Sequence, residues 1–317
     1  MAVSISSLQA ALQQVLTPIH LRYFPFPLLD LYGAMRLSSV VNWMASGVFD
    51  PPSPSSNRAE KGKKDKALGV NKERATALQE VFGILVVVFG GETFLGTSNC
   101  DRISRICMAD SGYYAPWAAL CTNSTPSWLV NPSVALLFGL THVIQTRTPI
   151  RRMLPAKPSL ALELFLALPD AIGRTLLLTR FSVLPLLHSS SSNTLLPTPS
   201  SLILVPFILA VPFASLIFSA TSFFCPQPYL STPMELRPGG WMMVDAWAPV
   251  VIPALFLTLI GPVEGWRFGM GWEEDESVIV CMIAMTIIFA LRAIYNFGYK
   301  KELWLNMLGL EGKKKTE

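Results

Sequence analysis

Four charged side chains, Glu163, Asp170, Arg174 and Arg180, interrupt the apolar run 159–187. Carboxylates and guanidinium groups at bilayer depth are costly, and they are retained as proton relays, ion paths, substrate sites or mutually neutralising pairs. Asp170 and Arg174 stand one helical turn apart at i, i+4. At about 100° per residue, Glu163 falls within about 20° of both, so a regular helix presents all three on one stripe. Pro169 and Gly173 interrupt the helix that carries that stripe and open its register to a shift. Arg180, near the far end of the run, can snorkel to the interface. The remaining set holds two acids against one base, which leaves Glu163 as the surplus carboxylate.

Asp30, Arg36, Glu92, Asp245 and Arg292 also interrupt apolar segments. Together with Glu163, Asp170 and Arg174 they form the candidate binding set for an ion or polar solute. Asp30, Gly33 and Arg36 share an Asp-x-x-Gly pattern followed by Arg with Asp170, Gly173 and Arg174. Such a recurrence, with the Arg at unequal spacing, fits an inverted repeat of the kind transporters use. His142 and Gln145 are a turn apart in another apolar run, where a lone histidine reads as a hydrogen-bond partner between helices. There is no second histidine or cysteine at metal spacing, no His-Glu-x-x-His and no Gly-x-Ser-x-Gly. No metal or cofactor is expected, and no catalytic residue can be assigned.

The elements that must hold these groups follow from composition. The chain is 51% hydrophobic and 15% charged, where soluble domains carry about 25% charged residues. The expected fold is an all-α, polytopic membrane helix bundle of about seven spans. They lie at 25–48, 77–97, 127–146, 159–187, 201–224, 241–262 and 277–298. Residues 1–24 precede them as an amphipathic segment, with Ile5, Leu8, Leu12, Val15, Leu16 and Ile19 at helical spacing, suited to lying on a membrane. Gly83 and Gly90 share one face of the second span and suit close helix approach. The 49–76 loop, rich in Pro, Ser and Lys, has too little apolar content to build a core. Residues 299–317 form a basic tail. No basic-aromatic stripe suits nucleic acid.

Loop charge sets the threading. With the N-terminus luminal, loops 49–76, 147–158, 225–240 and 299–317 are cytoplasmic and hold 17 lysines and arginines, against 4 on the luminal side. The acidic run 273–276 and the acceptor Asn123-Ser124-Thr125 then fall in the lumen, the latter weakened by Pro126. Cys100, Cys107 and Cys121 share that luminal loop, where one disulfide leaves one thiol over. The C-terminus is cytoplasmic, and Lys314 and Lys315, fourth and third from the end, resemble the dilysine retrieval signal of endoplasmic-reticulum membrane proteins, an address read by a receptor.

These readings place the chain in the endoplasmic-reticulum membrane. Three activities remain open: a channel or transporter using the intramembrane charges, a lipid- or sterol-modifying enzyme, and a non-catalytic assembly or escort protein. Expected partners are the bilayer, the dilysine-signal receptor, and a second copy or another membrane protein. Trimeric intracellular cation channels share the span number and orientation, but their Lys-Glu-Val-x-Arg-x-x-Lys motif is absent, so no family is assigned.

Overall fold

Small polar side chains and prolines mark where the helices of this chain begin. Ser159 accepts from the Leu162 amide and opens one helix. Thr198 and Ser201 form a reciprocal capping box at another, with Pro199 at its first turn. In the computed structural model the described residues are 5–20, 23–46, 75–96, 132–188, 197–211, 218–221, 223–225, 230, 232, 244–261, 266 and 268–298.

Among them the fold is all-α apart from one small hairpin. Helix α1 (Ile5–Leu16) leads into strands β1 (Pro18–His20) and β2 (Phe24–Pro27), which pair antiparallel. Then come α2 (Leu28–Ala45), α3 (Ala77–Gly96) and α4 (Ser133–Arg147), the last followed by a 3-10 turn at Pro149–Arg152. Helices α5 (Leu160–Leu178) and α6 (Val183–Leu187) divide the run 159–187, which had been expected as a single span. The break follows Thr179, whose hydroxyl turns back to the Thr175 carbonyl at 2.7 Å. Helices α7 (Pro199–Ala210), α8 (Phe218–Thr221), α9 (Val244–Ile260) and α10 (Glu274–Phe297) complete the order.

Side-chain contacts fix the relative directions of the long helices. Gly173 meets Leu29, Asp170 meets Tyr32 and Glu163 meets Arg36, so α5 descends as α2 ascends and the two are antiparallel. Val81 meets Gly139 and Ala75 meets Arg147, which makes α3 and α4 antiparallel as well. Ser38 with His142 and Gly33 with Phe138 set α2 and α4 parallel. Helices α9 and α10 form an antiparallel hairpin, joined by Cys281 with Ile252 and by Trp272 with Leu259. Gly261 and Gly271, both at positive φ, lie between the ends of these two helices.

Two separate apolar clusters hold these helices. The larger joins α1, α5, α6, α7, α9 and α10, with Leu176, Leu186, Leu202, Ile252, Phe256 and Met285 fully buried. The smaller joins α2, α3 and residues 224–225 through Val41, Met44, Ile84, Phe224 and Cys225, with Phe138 of α4 against it. Leu12 and Leu16 carry the amphipathic face of α1 into the larger cluster.

The outward faces are apolar too. Exposed Leu136, Leu140 and Ile144 line α4, exposed Leu164, Phe165 and Leu168 lie on α5, and exposed Ile283, Ile287 and Leu291 line α10. In water such stripes would be polar. Among the described residues, α10 is the one helix long and apolar enough to cross a membrane; residues 77–90 of α3, together with α7 and α9, are apolar but shorter.

Candidate functional site

The charges of α5 have their partners on other helices, and they divide between two of them. Glu163 lies in the first turn of α5, where a negative charge complements the helix dipole. Its Oε2 accepts from Arg36 Nη2 at 2.7 Å. Asp170, two turns along, accepts from Arg36 Nε at 3.2 Å and from the Tyr32 hydroxyl at 2.6 Å. The same hydroxyl stands 3.3 Å from the Leu166 carbonyl, close to Pro169, whose missing N–H breaks the backbone ladder of α5. One guanidinium from α2 thus bridges two carboxylates of α5. It also lies over the Trp43 ring at 5.5 Å, and Trp43 Nε1 donates to the Pro155 carbonyl.

Arg174 points the other way, to Asp245 in the first turn of α9. Its Nη2 lies 2.9 Å from Oδ1 as an ion pair without aligned hydrogen-bond geometry. Arg292 of α10 donates from Nη1 to the other oxygen, Oδ2, at 3.1 Å and stacks over Phe289 of its own helix. Asp245 therefore joins α5, α9 and α10.

These six groups alternate in sign: Glu163, Arg36, Asp170, Arg174, Asp245, Arg292. The stripe on α5 spans eleven residues, about 16 Å at 1.5 Å per residue. The part around Arg36 holds two acids and one base, and the part around Asp245 holds two bases and one acid. The whole is balanced. Glu163 is not the surplus carboxylate that the helix stripe alone implied, because Arg36, 127 residues away in sequence, compensates it. Asp30 sits in the first turn of α2 and no described ion pair includes it. Glu92 falls within α3, with its side chain outside the described residues. Asn123, Cys100, Cys107, Cys121, Lys314 and Lys315 also lie outside them.

A second polar cluster joins α2, α3 and α4, and the sequence pointed to only one of its members. His142 has no exposed surface. Its Nδ1 lies 2.9 Å from Ser38 Oγ, and its Nε2 lies 3.1 Å from Glu80 Oε2. The same oxygen accepts from Arg147, which also donates to the Ala75 carbonyl at 2.7 Å. A neutral imidazole protonated on Nε2 satisfies every contact: Ser38 donates to Nδ1, and Nε2–H donates to the carboxylate. Serine, histidine and carboxylate in series resemble a nucleophile with its base. Ser38 is fully buried, however, so no substrate atom can reach its oxygen in this arrangement. The cluster is a fastener between three helices. Gly139 permits it, since a Cβ there would stand 3.3 Å from Val81.

Among the described residues no group of three or more His, Cys, Asp or Glu side chains could hold a metal ion. No known family, curated protein or solved structure matches this chain.

Proposed function

We propose that this protein is a seven-span membrane protein of the endoplasmic reticulum that carries an ion or small polar solute along its ladder of intramembrane charges. The observation behind this reading is the alternating set from Glu163 to Arg292, which runs about 16 Å along α5 among apolar helices. Isolated charges at that depth would be prohibitive, whereas a balanced ladder is affordable and offers successive polar partners to a passing ligand.

Two further features support the membrane setting. Apolar side chains face outward on α4, α5 and α10, where lipid would cover them. The relative directions alternate as the loop-charge threading requires, with α2 and α4 one way, α3 and α5 the other, and α9 opposed to α10. The loop-charge threading puts Lys314 and Lys315 on the cytosolic side, where a retrieval receptor would read them.

Purified full-length protein in sealed liposomes should pass one of a panel of monovalent cations, anions or small zwitterions faster than empty liposomes. Permeability equal to that of protein-free liposomes across the panel would sink the transport reading. In cells, Lys314→Ser with Lys315→Ser should move the protein out of the reticulum.

A further inference from the structure

Each of the three polar clusters has a different mechanical position. Ser38, His142, Glu80 and Arg147 fasten α2, α3 and α4 to one another. Arg174, Asp245 and Arg292 fasten α5, α9 and α10 to one another. The smaller apolar cluster gathers α2 and α3 with residues 224–225, and the larger gathers α5, α9 and α10 with α1, α6 and α7, with Leu29 of α2 packed against it. Tyr32, Arg36, Glu163 and Asp170 make the charged contact from one set to the other, while α3 also meets α7 and Gln79 donates to the Phe223 and Cys225 carbonyls.

We propose that the chain is two rigid helix bundles, α2–α4 with residues 223–225, and α5–α7 with α9 and α10, which move against each other along the α2–α5 seam, with Arg36 as the pin that holds them in the arrangement described. An apolar core interlocks at van der Waals contact and resists sliding. A seam of charged groups can instead exchange partners, and this one carries unused capacity on both sides. Arg36 Nη1 and Glu163 Oε1 are buried and have no hydrogen-bond partner among the described residues. A guanidinium with a free donor, held between two acids a helical stretch apart, can shift its weight from one to the other. Gly173, with only the Leu29 side chain among the described residues within reach of its missing Cβ, leaves the α5 surface smooth opposite α2. As the proposed mechanism of the transport reading, the inference rests on that reading for its purpose, but its geometry stands separately.

Distance measurement between spin labels on outward-facing positions tests it in the full-length protein in liposomes, with native cysteines replaced. Leu140→Cys on α4 with Ile287→Cys on α10 spans the seam. Phe82→Cys with Leu140→Cys reports within the first bundle, and Phe165→Cys with Ile287→Cys within the second. The seam-spanning pair should give a broader or two-peaked distribution than the within-bundle pairs. Glu163→Gln with Asp170→Asn, which keeps side-chain shape and removes the charges, should shift its peaks and leave the within-bundle pairs unmoved. A seam-spanning distribution as narrow as the others and indifferent to that double substitution overturns the proposal. Flux read on the same liposomes separates the two ideas. Seam movement without flux retires the transport reading and keeps the joint; flux with a fixed seam distance does the reverse.

Discussion

Asp245→Asn is the sharpest energetic test of the bundle that carries α5. Asp245 and Arg292 are both about nine-tenths buried, at 10% and 8% side-chain exposure, and their ion pair is 3.1 Å long. Removing one partner of such a pair strands a buried charge at a cost of about 3–5 kcal/mol. Arg174 is 32% exposed, so solvent screens it and its share is at most about 1 kcal/mol. At about 2–4 °C per kcal/mol, the pair alone lowers the apparent melting temperature by roughly 6–20 °C. The measurement is retention of the monodisperse peak of detergent-solubilised, full-length protein after heating. Asp245→Leu combined with Arg292→Met should recover most of the loss, because apolar replacement of a whole buried pair is often neutral or better. A drop below about 3 °C for Asp245→Asn, or no recovery in the double variant, would refute the claim that this pair fastens α5, α9 and α10.

The other fastener gives a graded series. Ser38→Ala leaves His142 Nδ1 unpaired and should cost about 1–3 kcal/mol, whereas Glu80→Ala strips the acceptor from both His142 and Arg147 and should cost more; equal melting temperatures for the two would contradict the geometry. Gln145→Met should be neutral or stabilising, since both amide atoms of this buried side chain lack a hydrogen-bond partner among the described residues; destabilisation on heating would show that another group uses them. Gly139→Leu should separate α3 from α4 and lower stability well beyond Gly139→Ala, which asks Val81 to give only a few tenths of an ångström; similar melting for the two variants would show that the crossing is not close.

The legible part of this architecture was the part written within single segments. Asp170 and Arg174 fall on the same helix stripe by spacing alone, and their i, i+4 relation held a false promise of mutual pairing. The structure sends them to different helices, because each finds a closer partner across the bundle. Arg36 and Asp245 stood out as charges in apolar runs, yet nothing in a linear sequence pairs residues 47 to 134 positions apart. Tyr32, Ser38 and Glu80 escaped notice for a physical reason. A tyrosine or serine in an apolar run is common, and a glutamate in the first turn of a helix is explained by the dipole before any partner is sought. Glycine was half readable: Gly83 and Gly90 suggested close approach on α3, while the close crossing with α4 centres on Gly139 against Val81. The division into two bundles depends on which faces meet, and periodicity within one helix does not encode that.

Flux through liposomes bearing either the unaltered protein or Glu163→Gln with Asp170→Asn bears most directly on the claim that the charged seam serves transport. The account predicts solute or ion flux by the unaltered chain and a loss of tenfold or more in the double variant (about 1.4 kcal/mol of altered equilibrium suffices for that factor), with unchanged within-bundle distances showing that the variant is folded. Equal flux from the two proteins would contradict it.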